Sequence, residues 1–273
     1  MTLTTWFENH PDSLAKKAES ERIKARLRAE KRADIERTAE EQVVIQYYEN
    51  ADFALSSAVT ELTRALQEAR RQGQDVLLLL SGGSNLKVLE KMDKNILNDN
   101  KVTKYVLDER FSSDPTENNS KQIKAIGVHI QPTVPGEGET LDSFAARFNT
   151  DLKNWIKTHP EGKIICTLGM GSDGHIAGIA PMFGNPEAFT ETFNTNELAI
   201  GYSGGLTPPQ RVTVTPKFLT ESVDTVIGLV LGESKRDAFT SFEDKETPPN
   251  MHPVQILHKA IGQVVIMTDI QPK

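Results

Sequence analysis

The chain has 273 residues, 37% of them hydrophobic and 25% charged, enough for one large α/β domain with a full core or for a domain plus an extension. A formal charge of −7 and a pI near 5.5 exclude the basic surface that nonspecific nucleic-acid binding needs, so any phosphate site must be local. No stretch reaches the ~20 apolar residues that span a bilayer; the amino terminus lacks a signal-peptide core, and the single cysteine, Cys166, cannot form an intramolecular disulfide, so a soluble protein of the reducing cytoplasm is expected, with no membrane and no nucleic acid as partner.

From about Asp12 to Glu41 the chain is dense in charge and free of glycine and proline. Pairs such as Glu19 with Arg22 and Arg32 with Glu36 sit at helical spacing, which predicts a solvated helix. Its apolar positions, Leu14, Ile23, Leu27 and Ile35, make no sustained heptad seam. Residues 1–42 are therefore expected as a helical extension that either packs loosely on the main domain or contacts another subunit. The main domain is expected over 43–273.

Val43 to Tyr48 reads as its first strand, and Asn50 or Asp52 caps a long helix that Gly73 ends. Val76 to Leu80 is an unbroken apolar run, the mark of a strand buried on both faces. Leu86 to Met92 follows with helical spacing. Tyr105 to Leu107 is a short strand ending at Asp108-Glu109-Arg110, and Thr140 to His159 carries one apolar helix face. An apolar strand from Ile164 runs into the glycine turn at Gly169, strands at 198–202, 211–215 and 226–231 follow, then a charged helix from Glu233 and a last strand at 264–267. Alternating strands and helices imply an α/β fold, a Rossmann-like, mostly parallel sheet with helices on both faces.

Two turns carry chemistry. Ser81-Gly82-Gly83-Ser84 joins a buried strand to a helix, where unpaired N–H groups, the helix dipole and serine hydroxyls favour an anion and glycines let phosphate oxygens approach the backbone. It is neither a P-loop nor the dinucleotide fingerprint, and taken alone it could be only a tight turn. The second, Gly169-Met170-Gly171-Ser172-Asp173-Gly174-His175, follows an apolar strand, in the place where open α/β sheets bind ligands. Asp173, two residues before His175, is placed to hold the ring in one tautomer. The bland alternative is a glycine-rich connection with a stray histidine. His10, His129, His159, His252 and His258 lack such a context and read as ordinary residues. No tight His/Cys/carboxylate cluster stands at ligand spacing, so neither a metal nor another cofactor is expected.

Taken in order, Ser81-Gly82-Gly83-Ser84, Asp108-Glu109-Arg110, the segment from Gly169 to His175, Arg211-Val212-Thr213 and Gly232-Glu233-Ser234-Lys235 resemble the 6-phosphogluconolactonase and glucosamine-6-phosphate deaminase superfamily over roughly residues 43–270. The resemblance implies a sugar phosphate as ligand and a site built from strand ends. The deaminases carry a glutamate five residues beyond the histidine, where this chain has Ala180; the lactonase pattern has a proline six beyond, matched by Pro181. Ile176, Gly178 and Ala180 replace threonine, serine and phenylalanine of the pattern, Asn85 and Leu86 replace threonine and proline, and no Val-Pro follows Arg110.

What the resemblance implies is hydrolysis of 6-phosphoglucono-δ-lactone in the pentose phosphate route. His175 would be the base that activates water, Asp173 its support and Asp108 a site carboxylate accepting from sugar hydroxyls. As a residue type histidine titrates near ~6.5, which suits proton transfer at neutral pH. Gly171 belongs to the same site. The cradle at Ser81, Gly82, Gly83 and Ser84 would take the phosphate with Arg211 and Lys235, and Arg110 is a weaker candidate there. Asp and Arg at a strand end also often form a plain structural salt bridge. The alternatives are an amino-sugar-phosphate deaminase or isomerase, and a noncatalytic sugar-phosphate sensor.

Overall fold

The computed structural model describes residues 42–272; the helix expected before them, and the subunit contact assigned to it, lie outside the described residues. Six strands form a parallel sheet: β1 (Val43–Tyr47), β2 (Val76–Leu80), β3 (Val102–Val106), β5 (Lys163–Gly169), β8 (Thr225–Val230) and β9 (Gln263–Thr268), in the order β1-β9-β8-β5-β2-β3. β4 (Asp108–Arg110), β6 (Ala199–Ser203) and β7 (Gln210–Val214) make a separate antiparallel sheet.

That second sheet departs from the simple alternation expected. β6 and β7 are joined by the six residues 204–209, too few for the crossover that parallel neighbours require, so they pair as a hairpin. The strand expected at 105–107 is split for a related reason. Leu107 leaves the main sheet, and Asp108–Arg110 pairs with β7 instead, Arg110 opposite Arg211.

The core has two halves, one on each face of the parallel sheet. Leu77 and Leu79 of β2 face a cluster built with α5 (Leu141–Thr158), α6 (Pro186–Phe193) and α8 (Arg236–Asp244). Val76, Leu78 and Leu80 face the other, built with α1 (Ala51–Arg71), α2 (Leu86–Lys91) and α3 (Lys94–Leu97). All five β2 side chains are at most 1% exposed, which is why this stretch shows no alternation. Burying each leucine contributes about 1.5–3 kcal/mol.

The ends follow their caps. The Asn50 side chain accepts from Phe53 N to start α1, and Gly73 takes φ +71° just past its end. Thr140 and Ser143 form a capping box on α5. The helix expected from Glu233 begins as a 3-10 turn, Glu233–Lys235, before α8.

Strand order locates the crevice. From β2 the chain moves outward to β3; it then returns to β5 on the other side of β2 and continues to β8 and β9. The direction of travel reverses between β2 and β5, and in open α/β sheets a ligand binds beyond the carboxyl ends of the strands flanking such a reversal.

Candidate active site

The loop after β5 is a small, tightly closed hairpin. Met170 bridges Ile176, Gly171 N donates to His175 O at 2.9 Å, and Gly174, at φ +78°, donates to Gly171 O at 3.1 Å. This folding brings the His175 ring back onto Asp173, with Nδ1 to Oδ1 at 2.6 Å and both side chains 36% exposed. A carboxylate accepts only, so Nδ1 carries the proton and Nε2 is the open acceptor of the neutral ring. Burial acts to raise the Asp173 pKa, but the hydrogen bonds and charge of His175 outweigh it and hold the carboxyl below its ordinary value. Gly171 is required by space: a Cβ there would stand 2.1 Å from His175 Nδ1 and 2.6 Å from Asp173 Oδ1.

The turn after this loop is held by side chains of β6 and β7. The Thr213 hydroxyl donates to Ala177 O, and the Tyr202 hydroxyl donates to Gly178 O while accepting from Ala180 N. Burial pushes the Tyr202 phenol up to about 12. Asp108 sits against Gly178, where a Cβ would be 2.6 Å from its Oδ2, and that same oxygen accepts from Arg211 Nη1 at 2.9 Å. Both partners are buried. The salt bridge at this strand end thus joins Asp108 to Arg211. Arg110 turns elsewhere and donates through Nη1 to Glu117 O.

Across the crevice the β2 turn runs as a 3-10 turn, Gly83–Asn85, directly into α2. Ser81 is latched to β5, its N–H donating to Thr167 Oγ1 at 3.1 Å and its hydroxyl to Thr167 O at 2.8 Å; that hydroxyl proton is already engaged. Gly83, at φ +63°, has open space where a side chain would be. The turn lies against the start of the histidine loop, since a Cβ on Gly169 would meet Asn85 Nδ2 at 2.9 Å and Ser84 Oγ at 3.8 Å. On the other side of β5, Gly232 takes φ +91° and donates to Asp269 Oδ1 at 2.8 Å. The ammonium of Lys235, three residues on, has no hydrogen-bond or ion-pair partner among the described residues; burial pushes its pKa down, with Asp269 opposing.

Buried polar atoms without partners concentrate at this edge. Among the described residues seven side-chain atoms are in that condition, and five of them, Asn85 Nδ2, Arg110 Nε, Asn119 Oδ1, Arg211 Nε and His252 Nδ1, belong to residues around these turns. An unmade hydrogen bond of this kind costs about 1–3 kcal/mol, so stability is given up around these turns. No group of three or more His, Cys, Asp or Glu side chains suited to a metal occurs among the described residues.

The structure therefore brings Ser81 to Ser84, Gly171, Asp173 and His175 to neighbouring turns, with Asp108 paired to Arg211 beside Gly178 and Lys235 in the 3-10 turn after β8. Reading the sequence missed Thr167, Tyr202, Asn119 and His252. His252 packs over Gly174, where a Cβ would lie 2.8 Å from its own, and Val254 N donates to Gly174 O at 3.0 Å. Of these contacts only a histidine next to a proline was visible beforehand, and such a pair carries no spatial information.

A family model described as glucosamine-6-phosphate isomerases/6-phosphogluconolactonase matches residues 49–266. A curated rice protein (Oryza sativa subsp. indica) named probable 6-phosphogluconolactonase 3, chloroplastic, is 24% identical over 247 residues, covering 81% of this chain and 72% of its own. Among solved structures, 6-phosphogluconolactonase from Thermotoga maritima superposes with a TM-score of 0.67 at 19% identity, covering 83% of this chain and 99% of that one. The Trypanosoma brucei 6-phosphogluconolactonase gives 0.66 at 19% identity, covering 82% and 95%. At these identities the structural likeness is one of fold.

Proposed function

The chain belongs to the family of glucosamine-6-phosphate isomerases and 6-phosphogluconolactonases, and from that premise we propose that it is a carboxylic ester hydrolase that opens 6-phosphoglucono-δ-lactone to 6-phosphogluconate. The observation that carries this reading is the Asp173–His175 pair, 2.6 Å apart, on a loop that meets the glycine-rich β2 turn at the reversal in strand order. His175 Nε2 takes a proton from water as the water oxygen bonds to the lactone carbonyl carbon. The carbon to ring-oxygen bond then breaks, and the imidazolium returns its proton to the departing oxygen. Asp173 steadies the transient imidazolium. The phosphate is taken by the Gly82–Ser84 turn with Lys235, whose ammonium is half-buried and has no hydrogen-bond or ion-pair partner among the described residues, and with Arg211 and, more weakly, Arg110, whose buried Nε atoms have no partner there. Asp108, held by Arg211, faces the hydroxyls of the ring.

The deaminase reading has less support. The position at which that branch carries a glutamate is Ala180, wholly buried, with its N–H on the Tyr202 hydroxyl. As the reaction releases acid, a pH-stat assay on freshly made lactone tests it directly. His175→Asn should lower turnover by at least ~10²-fold, the usual worth of a positioned base, with an unchanged melting temperature. Undiminished turnover would remove His175 from the reaction. In this reading the enzyme works in the cytoplasm as part of the pentose phosphate route, a reducing setting that suits the buried thiol of Cys166.

A further inference from the structure

Glu109 is a buried carboxylate that the proposed reaction does not use. It is 1% exposed, and among the described residues no cation pairs with it. Its charge is met instead by four hydrogen bonds. Oε1 accepts from Arg110 N at 2.8 Å and Asn119 N at 2.7 Å; Oε2 accepts from Ser120 N at 2.9 Å and Ser120 Oγ at 2.6 Å. Burial still pushes its pKa up despite these donors. A carboxylate kept without a counter-ion is costly, and an apolar residue in a strand end would be cheaper.

What it holds is Asn119, the first residue of α4 (Asn119–Ala125). Asn119 is 2% exposed and reaches both halves of the site. Its Nδ2 donates to Asp108 O at 2.8 Å, which anchors the strand end whose side chain lies against Gly178. Its Oδ1 presses on the β2 turn, where a Cβ on Gly82 would stand 2.1 Å away. A single buried carboxylate is thus tied through one carboxamide to the cradle and to the far side of the histidine loop. We propose that Glu109 is a positioning residue: acting through Asn119, it sets the Gly82 turn in the conformation that selects a phosphorylated over an unphosphorylated substrate.

This rests on the lactonase reading, and the experiment separates the two. Turnover of 6-phosphoglucono-δ-lactone and of unphosphorylated glucono-δ-lactone is compared for wild type, Glu109→Gln and Asn119→Ala. Glutamine puts an amide donor against groups that already donate, so the Asn119 or Ser120 contact is lost. The expected result is a fall of roughly tenfold or more in the phosphorylated-to-unphosphorylated ratio of kcat/KM. It should come through KM for the phosphorylated lactone; turnover of the unphosphorylated one falls less, by the share that loosening Asp108 costs both substrates. Asn119→Ala, which buries no new mismatch against the carboxylate, should show the same loss if Glu109→Gln fails to fold. An unchanged ratio, or equal losses on both substrates, would make Glu109 a stability residue only and overturn the proposal. Wild type inert towards both lactones would instead sink the lactonase reading. The positioning role is then read by calorimetry, as loss of the preference for 6-phosphogluconate over gluconate in either variant; a retained preference would overturn it.

Discussion

His175 and Asp173 illustrate how much one missing side chain can decide. The hairpin closes only because nothing projects from Gly171, whose absent Cβ would overlap the imidazole. Gly171→Ala should therefore displace the ring from Asp173 and cost ~10²-fold or more in kcat, close to the loss on removing the base itself, while the melting temperature moves by only a few degrees because the ring is half-exposed. Equal kcat for the alanine variant would mean that the loop relaxes without moving the base. The Asp-x-His spacing and the glycines were legible in the sequence, since residues two apart on a turn must be neighbours. The Glu109–Asn119 tie was not. Its partners are ten residues apart along an irregular connection, and spacing of that kind fixes no direction.

At the scale of elements, apolar runs and capping residues announced nearly every strand and long helix of the main domain, because burial on two faces and orphan N–H groups leave local marks. The β6–β7 hairpin also had a local mark, the eight residues between the strands expected at 198–202 and 211–215, too few for a crossover. Packing between elements leaves none. His258 read as ordinary, yet in the 3-10 segment Pro253–Lys259 it stacks on Phe242 of α8, ring centroids 4.2 Å apart, and its Nε2 lies 2.8 Å from Phe242 O. Burial pushes its pKa down, the Phe242 carbonyl opposes this, and Lys245 adds to the lowering. The folded value thus lies below the unfolded one, so stability from the neutral ring is present above the unfolded pKa and is lost as pH falls through the folded one. Melting temperature should drop between about pH 7 and pH 5, and His258→Gln should flatten that slope. A slope unaltered in the variant would assign the pH response to other groups.

For the whole molecule, Gln42–Lys273 form one compact unit, and the family match, 49–266, lies inside it. Every residue assigned to the reaction is there as well. We propose that 43–273 is the catalytic domain, as the charge pattern of the first forty residues suggests. A chain starting at Gln42 should keep kcat/KM for the phosphorylated lactone within about twofold of the full chain, against a detection limit set by the ~10²-fold loss of His175→Asn. A large loss would show that the amino-terminal residues serve the site.

The amino-acid sequence by itself determined the class of fold, the two glycine-rich turns and the Asp173-x-His175 spacing, because each depends on residues within one strand, one turn or one helix period of each other. Only the tertiary structure decided that Asp108 pairs with Arg211 rather than Arg110, that Ser81 spends its hydroxyl on β5, and that buried Glu109 accepts from Asn119, whose side chain lies against Gly82. Those choices depend on strand order and on which side chains are pressed together across distant segments, and burial turns each such contact into an obligation that no local pattern records.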